Sequence, residues 1–209
     1  MDNFTIIFYK IFIGGTDDRY NIYRTMGDAY LIEVEVKAII KDFDEVRKKL
    51  TQIGAIKMKT EYQSDIYYNA PHKDFGETDE ALRIRKIPEN GKTRVILTYK
   101  GAKLDNISKT RKEIEVDVSD AENTSLILEN LNFRKAASVK KNRDIYHIKE
   151  FIITLDTVQD VGTYVEIETE ANEDEDTSAS IQKIYDIYKQ LGIEEGFERR
   201  SYLELMGID

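Results

Sequence analysis

Tyr30-Leu-Ile-Glu-Val-Glu-Val-Lys-Ala38 is the stretch on which the reading of this chain turns. Its alternation has period two, so as a β-strand it sets Glu33, Glu35 and Lys37 on one face and Ile32, Val34 and Val36 on the other. A lone strand of this kind turns its charged face to water. The same device returns in Leu82-Arg-Ile-Arg-Lys86, Leu97-Thr-Tyr-Lys-Gly101, Arg111-Lys-Glu-Ile-Glu-Val116 and Tyr164-Val-Glu-Ile-Glu168. One such strand is a solvated edge; a series of them reads as the lining of a charged cavity.

The chain also repeats itself once. Asp42 suits a helix N-cap, Phe43, Val46, Leu50 and Ile53 fall at helical spacing, and Gly54 suits the stop. After the strand ending near Val118, Ser119-Asp-Ala-Glu122 opens a second apolar-periodic stretch through Leu126, Ile127, Leu131 and Phe133. Ser64-Asp-Ile-Tyr-Tyr68 in the first half matches Arg143-Asp-Ile-Tyr-His147 in the second, and each half then carries two more strands, 81–87 and 93–100 against 151–157 and 163–170. The pattern is β-α-β-β-β twice. A last helix is predicted over 177–191, and a short element around Tyr202–Met206.

Eight strands with charges on one face cannot form a sandwich, because unpaired buried charge costs several kcal/mol per group. A β-dominated α+β fold resolves this: an eight-stranded antiparallel closed barrel, with the charges around a wet lumen and the helices packed outside. Short loops such as Glu89-Asn-Gly-Lys92 and Gln159-Asp-Val-Gly162 require antiparallel neighbours. Residues 30–209 form one domain on this reading. Residues 1–29 lie outside the pattern, either as an added strand or arm or as a stretch from an upstream start codon, with Met26 as the alternative start.

Composition narrows the function. The 209 residues, 41% hydrophobic and 34% charged, carry a formal charge of −9, which argues against general nucleic-acid binding. The absence of cysteine removes disulfides, thiolate metal sites and cysteine nucleophiles, and suits a cytoplasmic protein. His72 and His147 are too few for a histidine metal site, so a metal would be held by carboxylates, which favours Mg²⁺, Mn²⁺ or Ca²⁺. His72 reads as a surface residue, His147 as a barrel-wall residue, and Asp65 and Tyr67 as barrel packing and hydrogen bonding. No run approaches the ~20 apolar residues of a membrane span.

The inward positions form two walls. Lys37, Arg83, Arg85, Lys100, Arg111, Lys141 and Arg143 are cationic; Glu33, Glu35, Glu113, Glu115, Asp156, Glu166 and Glu168 are acidic. Guanidinium forks match phosphate oxygens, and clustered carboxylates repel until a divalent cation joins them. Together they suit a metal–polyphosphate complex. Taken singly, each motif is the solvated face of an ordinary strand, and charges of both signs can pair with no ligand at all.

The ordered series resembles the CYTH superfamily, the triphosphate tunnel metalloenzymes. It runs Glu33-x-Glu35-x-Lys37, Asp65-Ile-Tyr-Tyr-Asn69, Ala81-Leu-Arg-Ile-Arg85, Thr98-Tyr-Lys-Gly101, Arg111-x-Glu113-Ile-Glu115, Lys141-x-Arg143, Leu155-Asp156-x-Val158 and Gly162-x-Tyr-Val-Glu166-Ile-Glu168. It is similar above all to the class IV adenylyl cyclase-like branch. The resemblance implies Mg²⁺ or Mn²⁺ on Glu33, Glu35, Glu166 and Glu168 with Asp156 assisting. It also implies a catalytic set of Glu33, Glu35, Lys37 and Asp156, a triphosphate grip by the seven cations, and Glu113 and Glu115 orienting those cations.

Three functions are then expected, in this order. The first is a metal-dependent triphosphatase acting on inorganic tripolyphosphate, with ATP or thiamine triphosphate as alternatives. The second is a class IV adenylyl cyclase forming cyclic AMP and pyrophosphate. Cyclases of that class carry a His-Phe pair before the first strand, where this chain has Met26-Gly-Asp-Ala-Tyr-Leu31. The third is a polyphosphate-binding module without turnover. No nucleic-acid or membrane partner is expected, and Phe4–Ile13 suggests a homodimer arm.

Overall fold

In the computed structural model the described residues are 31–172 and 175–208. The readings made for residues 1–29, including Met26, the arm at Phe4–Ile13 and the dimer built on it, lie outside them. The first half runs β1 (Leu31–Ile39), α1 (Phe43–Gln52), β2 (Ile56–Asn69), β3 (Ala81–Glu89) and β4 (Lys92–Lys100). The second runs β5 (Arg111–Val118), α2 (Ala121–Asn130), β6 (Arg134–Ile148), β7 (Phe151–Val158) and β8 (Gly162–Asn172). Helices α3 (Ser178–Gln190) and α4 (Tyr202–Leu205) follow. The expected doubled β-α-β-β-β order is present.

All eight strands close into one antiparallel barrel in the order β1-β5-β4-β3-β2-β6-β7-β8. Turn chemistry sets the hairpins. Asn90 and Gly91 take φ of 51° and 74°, the left-handed pair that a two-residue turn between β3 and β4 needs. The seam between β1 and β8 is long, from Leu31↔Asn172 to Ile39↔Tyr164, whereas β1 meets β5 at Ile32↔Lys112 and Glu33↔Arg111.

The apolar face of the strands is roofed by helices. Val34, Val36, Ile153, Leu155, Val165 and Ile167 pack with Val46 and Leu50 of α1 and Ile184, Ile187 and Tyr188 of α3. Asp42 caps α1 by accepting from the Asp44 amide at 2.8 Å. The Tyr188 hydroxyl donates to the carbonyls of Val36 at 2.7 Å and Val165 at 2.9 Å, tying α3 across the β1–β8 seam. Over the other side, Leu128 of α2 packs with Tyr68, Ile84 and Val95.

Two local readings are corrected here. The stripe in the second helix is not Leu126, Ile127 and Leu131, which are 53%, 62% and 58% exposed; α2 turns Leu128 inward, with Ser125 accepting from the Tyr68 hydroxyl at 2.8 Å. The match of Asp65 with Asp144 joins residues on opposite faces. Asp65 meets the inward Arg85, while Asp144 points out to Arg47 of α1 at 2.9 Å. Counted from the helix ends, Asp65 corresponds to Arg143. The β2–β6 ladder breaks register twice, between Lys57 and Lys59 in β2 and at the Tyr67/Tyr68 step where β6 skips Ala136, so each copy carries a bulge early in its long strand and the phase of the repeat is kept.

Candidate active site

Alternation on a closed barrel sends every second side chain inward, and these line a cavity of about 1600 Å³. Of the sequence-derived candidates, Glu33, Glu35, Arg83, Arg85, Lys100, Arg111, Glu113, Glu115, Lys141, Arg143, Glu166 and Glu168 line it. Lys37 and Asp156 do not. They are 1% and 0% exposed and lie behind the wall.

Glu33 and Glu35 of β1 and Glu168 of β8 converge, each offering a carboxylate oxygen within 4.8 Å of the others. Register explains it, because Glu35 stands directly opposite Glu168. The electrostatics fit a cation. Burial and the neighbouring Glu33 hold the Glu168 carboxyl well above its usual range, and burial and Glu166 raise that of Glu35. Glu113 is raised in the same way, by burial and Glu33. Glu33 goes down despite its burial, because Lys100 stands 3.3 Å away. Three hard oxygen donors with mutual repulsion suit Mg²⁺ or Mn²⁺.

The other two carboxylates expected to hold metal also lie among cations, as Glu35 does beside Lys109. Asp156 accepts from Arg143 Nε at 2.7 Å, Arg143 Nη2 at 2.6 Å, Lys141 at 3.0 Å and the Tyr202 hydroxyl at 3.0 Å. Glu166 accepts from Arg143 and lies 3.4 Å from Lys109. Burial would raise both carboxyls, yet these cations hold both down.

On the cationic wall, Asp65 grips Arg85 with two bonds at 2.8 and 2.7 Å and stands 3.7 Å from Arg83. The hydrogen bonding expected of it thus engages Arg85, with Arg83 beside it. Arg83 also reaches Thr98 at 3.0 Å and Glu115 at 3.2 Å, and Lys100 meets Glu113 at 2.5 Å. Glu113 and Glu115 thus pair with cations of this wall. Arg111 lies 3.7 Å from Asp79. The buried Arg83 Nε and Thr154 Oγ1 have no hydrogen-bond partner among the described residues. Burial, then the Arg143 charge, lowers the Lys141 ammonium to about 8.

Lys37 occupies an aromatic cage. Its ammonium donates to the Arg200 carbonyl at 2.5 Å and sits 4.2 Å and 5.2 Å from the ring centres of Tyr202 and Tyr164. Burial, then the charge of Lys109, lowers it to about 7. Tyr67 and His147 line the cavity, and His72 is exposed.

Sequence reading missed Lys109, Tyr202 and Gln63, which also line the cavity. Lys109 had a signal, because it extends the alternation of β5 two residues upstream of Arg111. Tyr202 had none, as it arrives on a four-residue helix from the far end of the chain.

The family described as the CYTH domain matches residues 31–202. The chain belongs to the CYTH domain family. It is 38% identical over 179 residues to MJ0240 of Methanocaldococcus jannaschii, which carries a provisional adenylate cyclase name; the match covers 85% of this chain and 100% of that one. The structure of PH1819 from Pyrococcus horikoshii OT3 superposes with a TM-score of 0.77 at 43% identity, over 83% of this chain and 97% of that one. HpAC1 from Hippeastrum, a provisional adenylyl cyclase described as having a dominant triphosphatase activity, shares the fold at a TM-score of 0.58 and 16% identity, over 85% and 96% of the two chains. CYTH members are triphosphate tunnel enzymes that depend on divalent metal. Among the described residues no helix is long and apolar enough to cross a membrane.

Proposed function

We propose that this chain is a divalent-metal-dependent triphosphatase that grips a triphosphate in the barrel lumen and transfers its terminal phosphoryl group to water. The observation that carries the reading is one wall of cations, Arg83, Arg85, Lys100, Arg111, Lys141 and Arg143, facing the same cavity as the Glu33–Glu35–Glu168 cluster. A linear triphosphate needs several cationic contacts along its length, and Arg83, Arg85 and Arg143 offer planar forks for its oxygens. Glu33, Glu35 and Glu168 would hold Mg²⁺ or Mn²⁺, which neutralises phosphate charge when bound. Asp156, Asp65, Glu113 and Glu115 keep the cations aimed, so the grip needs little rearrangement on binding. Lys37 acts from behind, where it fixes the Arg200 backbone and the rings of Tyr164 and Tyr202.

Inorganic tripolyphosphate is the simplest substrate for so polar a lumen. A second reading, cyclisation of ATP, is supported by the likeness to MJ0240 and by Ile87, Ile96, Ile145 and Ile152, which give part of the cavity an apolar wall for a base. Incubation with Mg²⁺ or Mn²⁺ and either tripolyphosphate or ATP separates them. Orthophosphate from tripolyphosphate is the expected product; cyclic AMP with pyrophosphate selects the second reading, and retention without product defeats both. Glu35→Ala and Glu168→Ala should abolish turnover with an unchanged circular dichroism spectrum. Persistent activity would overturn the metal assignment.

A further inference from the structure

One cation reaches the acidic wall from outside the strands. Lys109 is the penultimate residue of the 101–110 loop between β4 and β5, and its ammonium pairs with Glu35 Oε1 and stands 3.4 Å from Glu166 Oε1. Its side chain is 12% exposed. The position is built. The Lys109 amide donates to the Glu35 carbonyl at 2.8 Å, which stitches the loop to β1 beside the carboxylates. Asp105 accepts from the Ser108 amide and hydroxyl, both at 2.6 Å, and Arg199 donates to the carbonyls of Asp105 and Ser108. The backbone on either side of Lys109 is therefore held, and the side chain has a fixed origin.

Glu35 is one vertex of the three-carboxylate cluster, and among the described residues Lys109 is the cation paired with it. A divalent ion on Glu35 would meet the ammonium as a like charge at close range in a poorly solvated wall. A triphosphate changes that balance, because its oxygens give Lys109 a new anionic partner within the same lumen. The two ligands are then coupled, each favouring the other through one side chain.

We propose that Lys109 is the resident counter-ion of the acidic wall, disfavouring a lone divalent cation and releasing Glu35 when the cation arrives with a triphosphate. This rests on the reading of the lumen as a metal–triphosphate site and narrows it: the preferred ligand is the preformed metal–triphosphate complex.

The test is Mn²⁺ binding to the whole protein, followed by the electron paramagnetic resonance signal of free Mn²⁺. Lys109→Met should bind Mn²⁺ alone more tightly than the parent, by on the order of tenfold. Tripolyphosphate should then raise Mn²⁺ affinity less in the variant than in the parent. Unchanged or weaker Mn²⁺ binding by a folded Lys109→Met protein would overturn the proposal. If that variant does not fold, acetic anhydride labelling of the parent, read by mass spectrometry, carries the question. Saturating Mn²⁺ should increase acetylation of Lys109, and unaltered or reduced labelling would overturn the proposal. None of these readouts requires turnover, so a chain that hydrolyses nothing still answers for Lys109, and a Lys109 result against the proposal leaves hydrolysis standing.

Discussion

Glu166 and Glu168 stand two residues apart on the same face of β8, and their fates differ. Glu166 is held by Arg143 and Lys109 and stays well below the usual carboxyl range, although its burial pulls the other way. Glu168 faces Glu33 and Glu35 and is pushed well above that range by burial and Glu33. Glu168→Gln should therefore weaken Mn²⁺ binding at least tenfold while raising the melting temperature of the metal-free protein by roughly 2–4 °C, the shift expected of about 1 kcal/mol at this chain length. Glu166→Gln should do the reverse to stability. It leaves Arg143 with Asp156 alone and should cost about 1–3 kcal/mol in urea unfolding. Equal effects at the two positions would contradict this division. Such differences were not legible in the sequence. Alternation tells which face a side chain takes, and it placed Arg83, Arg111 and Glu168 on the lumen. It does not tell depth, which is why Lys37 and Asp156 looked like the rest although Tyr202 closes over both.

Between β2 and β3 the segment 70–80 is fastened at its end by Glu80, which accepts from Lys73 at 2.7 Å, from the Thr78 hydroxyl at 2.6 Å and from the Tyr99 hydroxyl. Burial would raise the Glu80 carboxyl, but these bonds bring it from 4.5 down to about 2. A carboxyl lower in the folded than in the unfolded state leaves the folded state with fewer protons. Its contribution is therefore complete above about pH 4.5 and fades as pH falls toward 2. Thermal melts from pH 6 to 2 should show Glu80→Gln less stable at the upper end and shallower in slope below pH 5; parallel curves would remove Glu80 from the account. Elements were more readable than their contacts. The cap at Asp42 and the apolar spacing of α1 and α3 are local signals, and those helices lie where the spacing put them. Which side of α2 packs depends on Tyr68, far away in the chain.

At the scale of the whole molecule the duplication is interleaved. β1 lies between β5 and β8, and β2 lies beside β6, so each half completes the other's sheet. Neither half has its own closed barrel or its own roof, since α1 and α3 share one core. Unfolding should be one cooperative step, with far-ultraviolet circular dichroism and the fluorescence of the 13 tyrosines giving coincident curves. Two separated transitions would show the halves to be independent. The repeat was visible in the sequence because each copy keeps its order; the pairing across copies was not, because no local signal encodes it. Along β1 the inward carboxylates of Glu33 and Glu35 alternate with the fully covered Ile32, Val34 and Val36. A strand displaced lengthwise by a single residue would push these carboxylates into the oily shell under α1 and α3 and strand the aliphatics among guanidiniums. The charges that ready the bore for an anion thus also act as an alignment key for the weave. Replacing them wholesale with neutral side chains would relieve their repulsion and remove the penalty that keeps each strand in its one correct position.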